Sequence, residues 1–114
     1  MNHPNDDTGD ALRRLEADGD DLTRPREIDF TVVFPDELHA ERFAEYFRER
    51  GHAVSVRFSQ VRDGLPWDVK VVNNMAPSHQ GIAGFETELQ DLATTLGGEN
   101  DGWRCFTEPG KHLH

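Results

Sequence analysis

Between residues 78 and 96 the apolar side chains Ile82, Phe85, Leu89, Leu92, Ala93 and Leu96 recur at steps of three and four. That is the period of one face of an α-helix, and no strand can present it. A helix with one apolar side has to lay that side on something, and the flanking segments supply it. Residues 27–34, Glu-Ile-Asp-Phe-Thr-Val-Val-Phe, alternate with period two and predict a strand with Ile28, Phe30, Val32 and Phe34 on one face. Pro35-Asp36 then opens a helix that buries Ala40, Phe43, Ala44 and Phe47 and stops at Gly51. Residues 52–60 alternate again, and so do residues 67–72 after the turn Val61-Arg62-Asp63-Gly64-Leu65-Pro66, which reads as a hairpin. After the long helix, Gly97-Gly98 is a helix stop, Asn100-Asp101-Gly102 a tight turn, and Trp103-Arg104-Cys105-Phe106 a short last strand.

The order βαββαβ, with right-handed crossovers around a central hairpin, predicts an α+β fold. It is the ferredoxin-like arrangement: a four-stranded antiparallel sheet in the order 4-1-3-2 with both main helices on one face. A short helix precedes it, capped by Asp6, Asp7 or Thr8 and carrying Leu12 and Leu15, and a linker through Pro25 leads into the first strand. The expected organisation is an N-terminal helix and linker over residues 1–26, the sheet domain over 27–108 and a flexible tail over 109–114. Alternation sends Trp103 and Cys105 toward the helices and leaves Asp29, Thr31, Val33, Asp68, Lys70, Val72, Arg104 and Phe106 on the open face. Val72 and Phe106 should flank Asp29 there, and the N-terminal helix is expected to cover that apolar pair with Leu12 and Leu15.

The charge balance, 22 acidic against 12 basic side chains, gives a net charge of −10. Such a surface repels polyanions and fits a basic protein partner better than RNA or DNA. The central strands offer the open face no aromatic residue for stacking bases. The polar, acidic start MNHPNDDTGD is unlike a secretory signal, and no apolar run approaches the roughly 20 residues that span a bilayer, so the expectation is a cytoplasmic protein without membrane contact.

Nothing in the chain reads as catalytic. A nucleotide-binding glycine loop, a nucleophile elbow and a zinc-binding HExxH helix are all missing. The single Cys105 alternates with Trp103 toward the core, so it reads as packing rather than as a thiol nucleophile served by His39 or His52. His112 and His114 stand in the tail without the further ligands a metal site needs. Acidic neighbours such as Asp20 with Asp21, or Glu99 with Asp101, are expected in so acidic a chain and select no acid/base pair. No enzyme activity, cofactor or metal is therefore expected. By placement, the residues offered to a partner are Asp20, Asp21, Asp29, Val72, Glu99, Asp101, Arg104 and Phe106, with Trp103 and Gly102 as structural anchors of the last strand.

Three features together resemble a known family: Gly19-Asp20-Asp21-Leu22 leading through Pro25-Arg26 into a strand, Trp67 in the hairpin, and Asn100-Asp101-Gly102-Trp103-Arg104-Cys105 after a leucine-rich helix. They are similar to the regulator of ribonuclease E activity B (RraB) family over roughly residues 12–108. The resemblance implies a small acidic α+β protein with the same sheet. It also implies a non-catalytic inhibitor of ribonuclease E that binds that enzyme or its scaffold region and needs no cofactor. The alternative on the same fold is an acidic protein-interaction module of another kind, an immunity protein or stress adaptor.

Overall fold

Both periods resolve into regular elements in the computed structural model, which describes residues 6–60 and 62–105. Along the chain they are α1 (Asp7–Ala17), β1 (Arg26–Phe34), α2 (Glu37–Arg48), β2 (Ala53–Phe58), β3 (Trp67–Met75), α3 (His79–Thr95) and β4 (Glu99–Cys105). Each helix starts on a side-chain cap. Asp6 accepts from the Gly9 N–H, Asp36 from His39 and Ser78 from Gly81, so one otherwise orphaned donor is satisfied at each N-terminus.

The four strands form one antiparallel sheet in the order β2-β3-β1-β4. Counted from the β4 edge, that order is 4-1-3-2. The central strand β1 has Ile28, Phe30, Val32 and Phe34 buried on one face, where they meet Val69 and Val71 of β3, Phe43 and Phe47 of α2, and Ile82, Phe85 and Leu89 of α3. The Phe30 and Phe85 rings meet edge to face, centroids 4.8 Å apart. At about 25 cal/mol per Å² of apolar surface, these fully buried Phe, Leu, Ile and Val side chains are the main source of stability.

The N-terminal helix does not cover the open sheet face as its leucines suggested. It lies in the helix layer against α3, with Leu12 fully buried in the common core and Leu15 packed against it. The reason lies in the linker. Arg26 shares the inward face of β1 with Ile28, and its guanidinium holds the Asp20 carboxylate at 2.7 Å. That pair brings the linker in on the helix side, where Leu22 joins the core. Residues 6–25 are thus continuous in packing with the sheet domain. The tail expected over 109–114, and Phe106, lie outside the described residues.

Candidate partner-binding surface

The last helix turns into β4 through two glycines with different duties. Gly97 takes φ +76°, which closes α3, and the Gly98 N–H then returns to the Ala93 carbonyl at 2.8 Å. Gly98 itself is required by contact. A Cβ there would sit 2.5 Å from a Phe34 ring carbon and 2.7 Å from the Val33 carbonyl oxygen. The chain has therefore already turned before Asn100. The expected tight turn at Asn100-Asp101-Gly102 is instead a bulge within β4: Trp103 pairs with Phe30 and Asn100 with Val32, so two residues of β4 oppose one of β1. Gly102 takes the left-handed φ of +101° that this bulge demands.

The bulge aims Trp103 inward, as alternation predicts, but the ring is only half buried. Its Nε1 donates to Thr8 Oγ1 of α1 at 3.2 Å. Beside it opens a cleft of about 500 Å³ between α1, α3 and β4, with Asp7, Glu86 and Asp101 among its walls. Asn100 fastens the floor: its side chain donates to Glu86 and its backbone N–H to the Gln90 side chain, both at 2.8 Å. Asp6 and His79 are 2.7 Å apart and join the starts of α1 and α3. The Gly9 N–H, and then the His79 ring, hold the Asp6 carboxyl below its ordinary value.

On the other side of the sheet, register brings Val72, Asp29 and Arg104 into one row across β3, β1 and β4. This open face is polar and mixed in charge. Lys70 stands 4.0 Å from Asp29, Arg57 is 3.9 Å from Asp68, and a shallow groove of about 160 Å³ runs between Thr31, Arg57 and Arg104. Burial raises the Asp68 carboxyl above its ordinary value; Arg57 opposes that shift and Asp101 adds to it. Val33 shares this face yet is 1 % exposed. From the β2–β3 loop Arg62 reaches Glu99, the β4 partner of Val33, and also Asp101. The loop thus bridges the sheet from β3 to β4, past β1.

The structure thus gathers Asp29, Val72 and Arg104 on one patch and Glu99 and Asp101 on another, while Asp21 stands apart in the linker, accepting from the Thr23 hydroxyl and N–H. Asp20 presents nothing to a partner, because its side chain is wholly buried against Arg26. Cys105 lies inward beside Arg26; burial pushes its thiol up, and Arg26 only partly offsets that, which suits packing rather than a reactive thiolate. Sequence reasoning missed Arg62, Glu86 and Thr8. Arg62 lies 37 and 39 residues from its partners, and no local pattern announces such a pairing. The Asp20–Arg26 pair did have a signal, an acid and a base bracketing Pro25.

Among the described residues no group of three or more His, Cys, Asp or Glu side chains is arranged to hold a metal ion, and no helix is long and apolar enough to cross a membrane. Comparison with curated proteins finds none that matches the sequence. A family model described as regulator of ribonuclease activity B matches residues 5–105, nearly the whole chain. With its Asp-Gly-Trp bulge on β4, its four-stranded antiparallel sheet and this match, the chain belongs to the RraB family, a family of regulators of ribonuclease activity.

Proposed function

We propose that the protein is a non-catalytic regulator that acts in the cytoplasm by binding ribonuclease E, or its scaffold region, and slowing RNA cleavage. Membership of the RraB family is the observation that carries this reading. The surface chemistry supports a protein partner over RNA. The net charge is −10, and the aromatic residues of the two central strands, Phe30, Phe34 and Trp67, all belong to the inward-facing core rather than to the open face. The surfaces proposed to meet the partner are the β4 margin with Glu99 and Asp101, the row Asp29, Val72 and Arg104, and Asp21 in the linker.

Adding the purified protein to ribonuclease E from the same organism should slow cleavage of a single-stranded RNA substrate and give a complex that weakens as salt rises. Unchanged cleavage together with no complex at low salt would refute it. An affinity capture naming a toxin or a stress-response enzyme in place of ribonuclease E would transfer the protein to the immunity or adaptor reading.

A further inference from the structure

The sheet has two edges, and they differ in regularity. On β4 the bulge and the left-handed Gly102 interrupt the ladder, and Glu99 and Asp101 add negative charge, so that edge is poorly suited to another strand. The opposite edge is β2. It pairs with β3 in unbroken register, contains neither glycine nor proline, and carries Arg57 as its only charge. Val54, Val56 and Phe58 lie on its inward side opposite Val71, Val69 and Trp67, yet none of the three is fully buried and Phe58 is 55 % exposed. Core-facing side chains stay open there because the sheet stops. The backbone is open at the same residues. Ser59 donates to the Pro66 carbonyl at 2.6 Å, which fixes the phase of the ladder: Ser55 and Arg57 turn their N–H and C=O groups to β3, while Val54, Val56 and Phe58 turn theirs outward. Among the described residues this outward row receives one hydrogen bond, from the Arg48 guanidinium to the Val54 carbonyl at 3.3 Å, and that oxygen keeps a second lone pair.

We propose that β2 pairs with β2 of a second copy of this chain, antiparallel about a two-fold axis at Val56, and joins two sheets into one. In that register the strand is its own complement. Val56 faces Val56 of the other copy and Val54 faces Phe58, so the exposed Phe58 ring gains an apolar neighbour on the helix side. Ser55 faces Arg57 on the open side, so no like charges are opposed. Centring the axis on Val56 also engages the N–H and C=O of all three outward residues, which a shift along the strand does not. The contact is isologous and closes at two copies, because both edges of the joined sheet are then bulged β4 strands. A pair of six-residue strands is a small interface, which places the dimer in the micromolar range. Two chains of net charge −10 repel each other, so salt should strengthen this contact, the reverse of its effect on a complex with a basic partner. Nothing in the pairing depends on which protein the chain regulates.

Sedimentation equilibrium of the full chain from about 5 μM to about 1 mM should show a reversible monomer–dimer equilibrium that tightens as salt rises. Amide hydrogen exchange at the two ends of that range should slow at Val54, Val56 and Phe58 in the concentrated sample and change little at Ser55 and Arg57, which β3 already protects. Phe58→Glu and Val54→Lys should each weaken self-association at least about tenfold, while Leu38→Lys, at the other exposed large apolar side chain, should change it less than about twofold. Mixing the Phe58→Glu and Val54→Lys chains should restore a dimer, because the two new charges then face each other and the unchanged Phe58 faces the unchanged Val54. A monomer throughout the range, a dimer whose Val54, Val56 and Phe58 amides exchange as in the monomer, or no recovery on mixing would each overturn the proposal. Should a variant unfold, as circular dichroism would reveal, the exchange comparison on the unaltered chain decides alone. Protection of those amides by ribonuclease E in a chain that stays monomeric by itself would give the edge to a partner's strand and refute the second copy.

Discussion

Asp20 is the residue whose role the fold changes most, and its replacement can be worked through in energy. Its carboxylate has 0 % of its side-chain surface exposed, Arg26 has 5 %, and they meet at 2.7 Å. Replacing the acid with alanine leaves a buried guanidinium without that counter-charge. Breaking such a pair from one side costs about 3–5 kcal/mol, because a charge then stays in a medium that solvates it poorly. Arg26 also donates to the Asp21 carbonyl at 2.9 Å and the Arg24 carbonyl at 3.2 Å, and these dipoles soften the loss. The expected cost of Asp20→Ala is therefore near the lower end, about 3 kcal/mol. Against a total of about 5–15 kcal/mol for a domain of this size, that is severe. With a urea m-value of roughly 1–2 kcal/mol/M, the midpoint of a fluorescence-monitored unfolding curve should fall by about 1.5–3 M. Replacing both partners, as Asp20→Leu with Arg26→Met, should recover much of the loss, since no charge is then stranded. A single Asp20→Ala variant with the wild-type midpoint, impaired only in partner binding, would refute the reasoning and return Asp20 to the surface.

Other perturbations probe separate joints. Trp103→Ala removes a half-buried indole and its bond to Thr8, so the cost should be about 2 kcal/mol in urea unfolding, below that of a fully buried tryptophan; a loss under about 0.5 kcal/mol would show that the ring does not hold α1. Gly98→Ala forces a methyl into the Phe34 ring and the Val33 carbonyl and should destabilise by about 3 kcal/mol or more, whereas an unchanged melting temperature would contradict the packing of β4 on the end of β1. The carboxyls of Asp6 and Asp36 are held below their ordinary value of 3.8, first by the Gly9 and His39 backbone N–H groups and then by the His79 and His39 rings. A depressed folded-state value means the stabilisation is complete above the ordinary value and is lost as pH falls through the depressed one. Urea midpoints should therefore drop below about pH 4, and Asp6→Asn with Asp36→Asn should flatten that drop. An equally steep drop in the double variant would contradict it.

Much of the fold could be read from periodicity because each element's apolar stripe is complete in itself. Ile82, Phe85 and Leu89 declare α3, and Ile28, Phe30 and Phe34 declare β1, whatever lies around them. The place of α1 could not be read that way. Leu12 and Leu15 specify that the helix is covered, not which face of the sheet covers it, and the deciding contact is a charge pair in the linker. At Asn100-Asp101-Gly102 a bulge stands where the residues suggest a turn, for a related reason. Residues that tolerate positive φ serve a bulge as well as a turn, and Gly97 had already reversed the chain. The candidate surface was legible in its members on β4 and dark in its geometry. Glu86 and Thr8 come to Trp103 only through the packing of α1 and α3 around that strand, and Arg62 reaches Glu99 and Asp101 from a hairpin loop on another part of the sheet.

Regulation of a ribonuclease by direct binding is tested most directly by one measurement. The initial rate at which ribonuclease E from the same organism cleaves a single-stranded RNA is followed against increasing concentrations of the purified protein, with the Glu99→Gln, Asp101→Asn variant of the β4 margin alongside. A saturable fall in rate is expected with the wild-type protein, weakened at raised salt and shifted to higher concentration by at least about tenfold in the variant. A cleavage rate independent of the protein at every concentration and salt would contradict it.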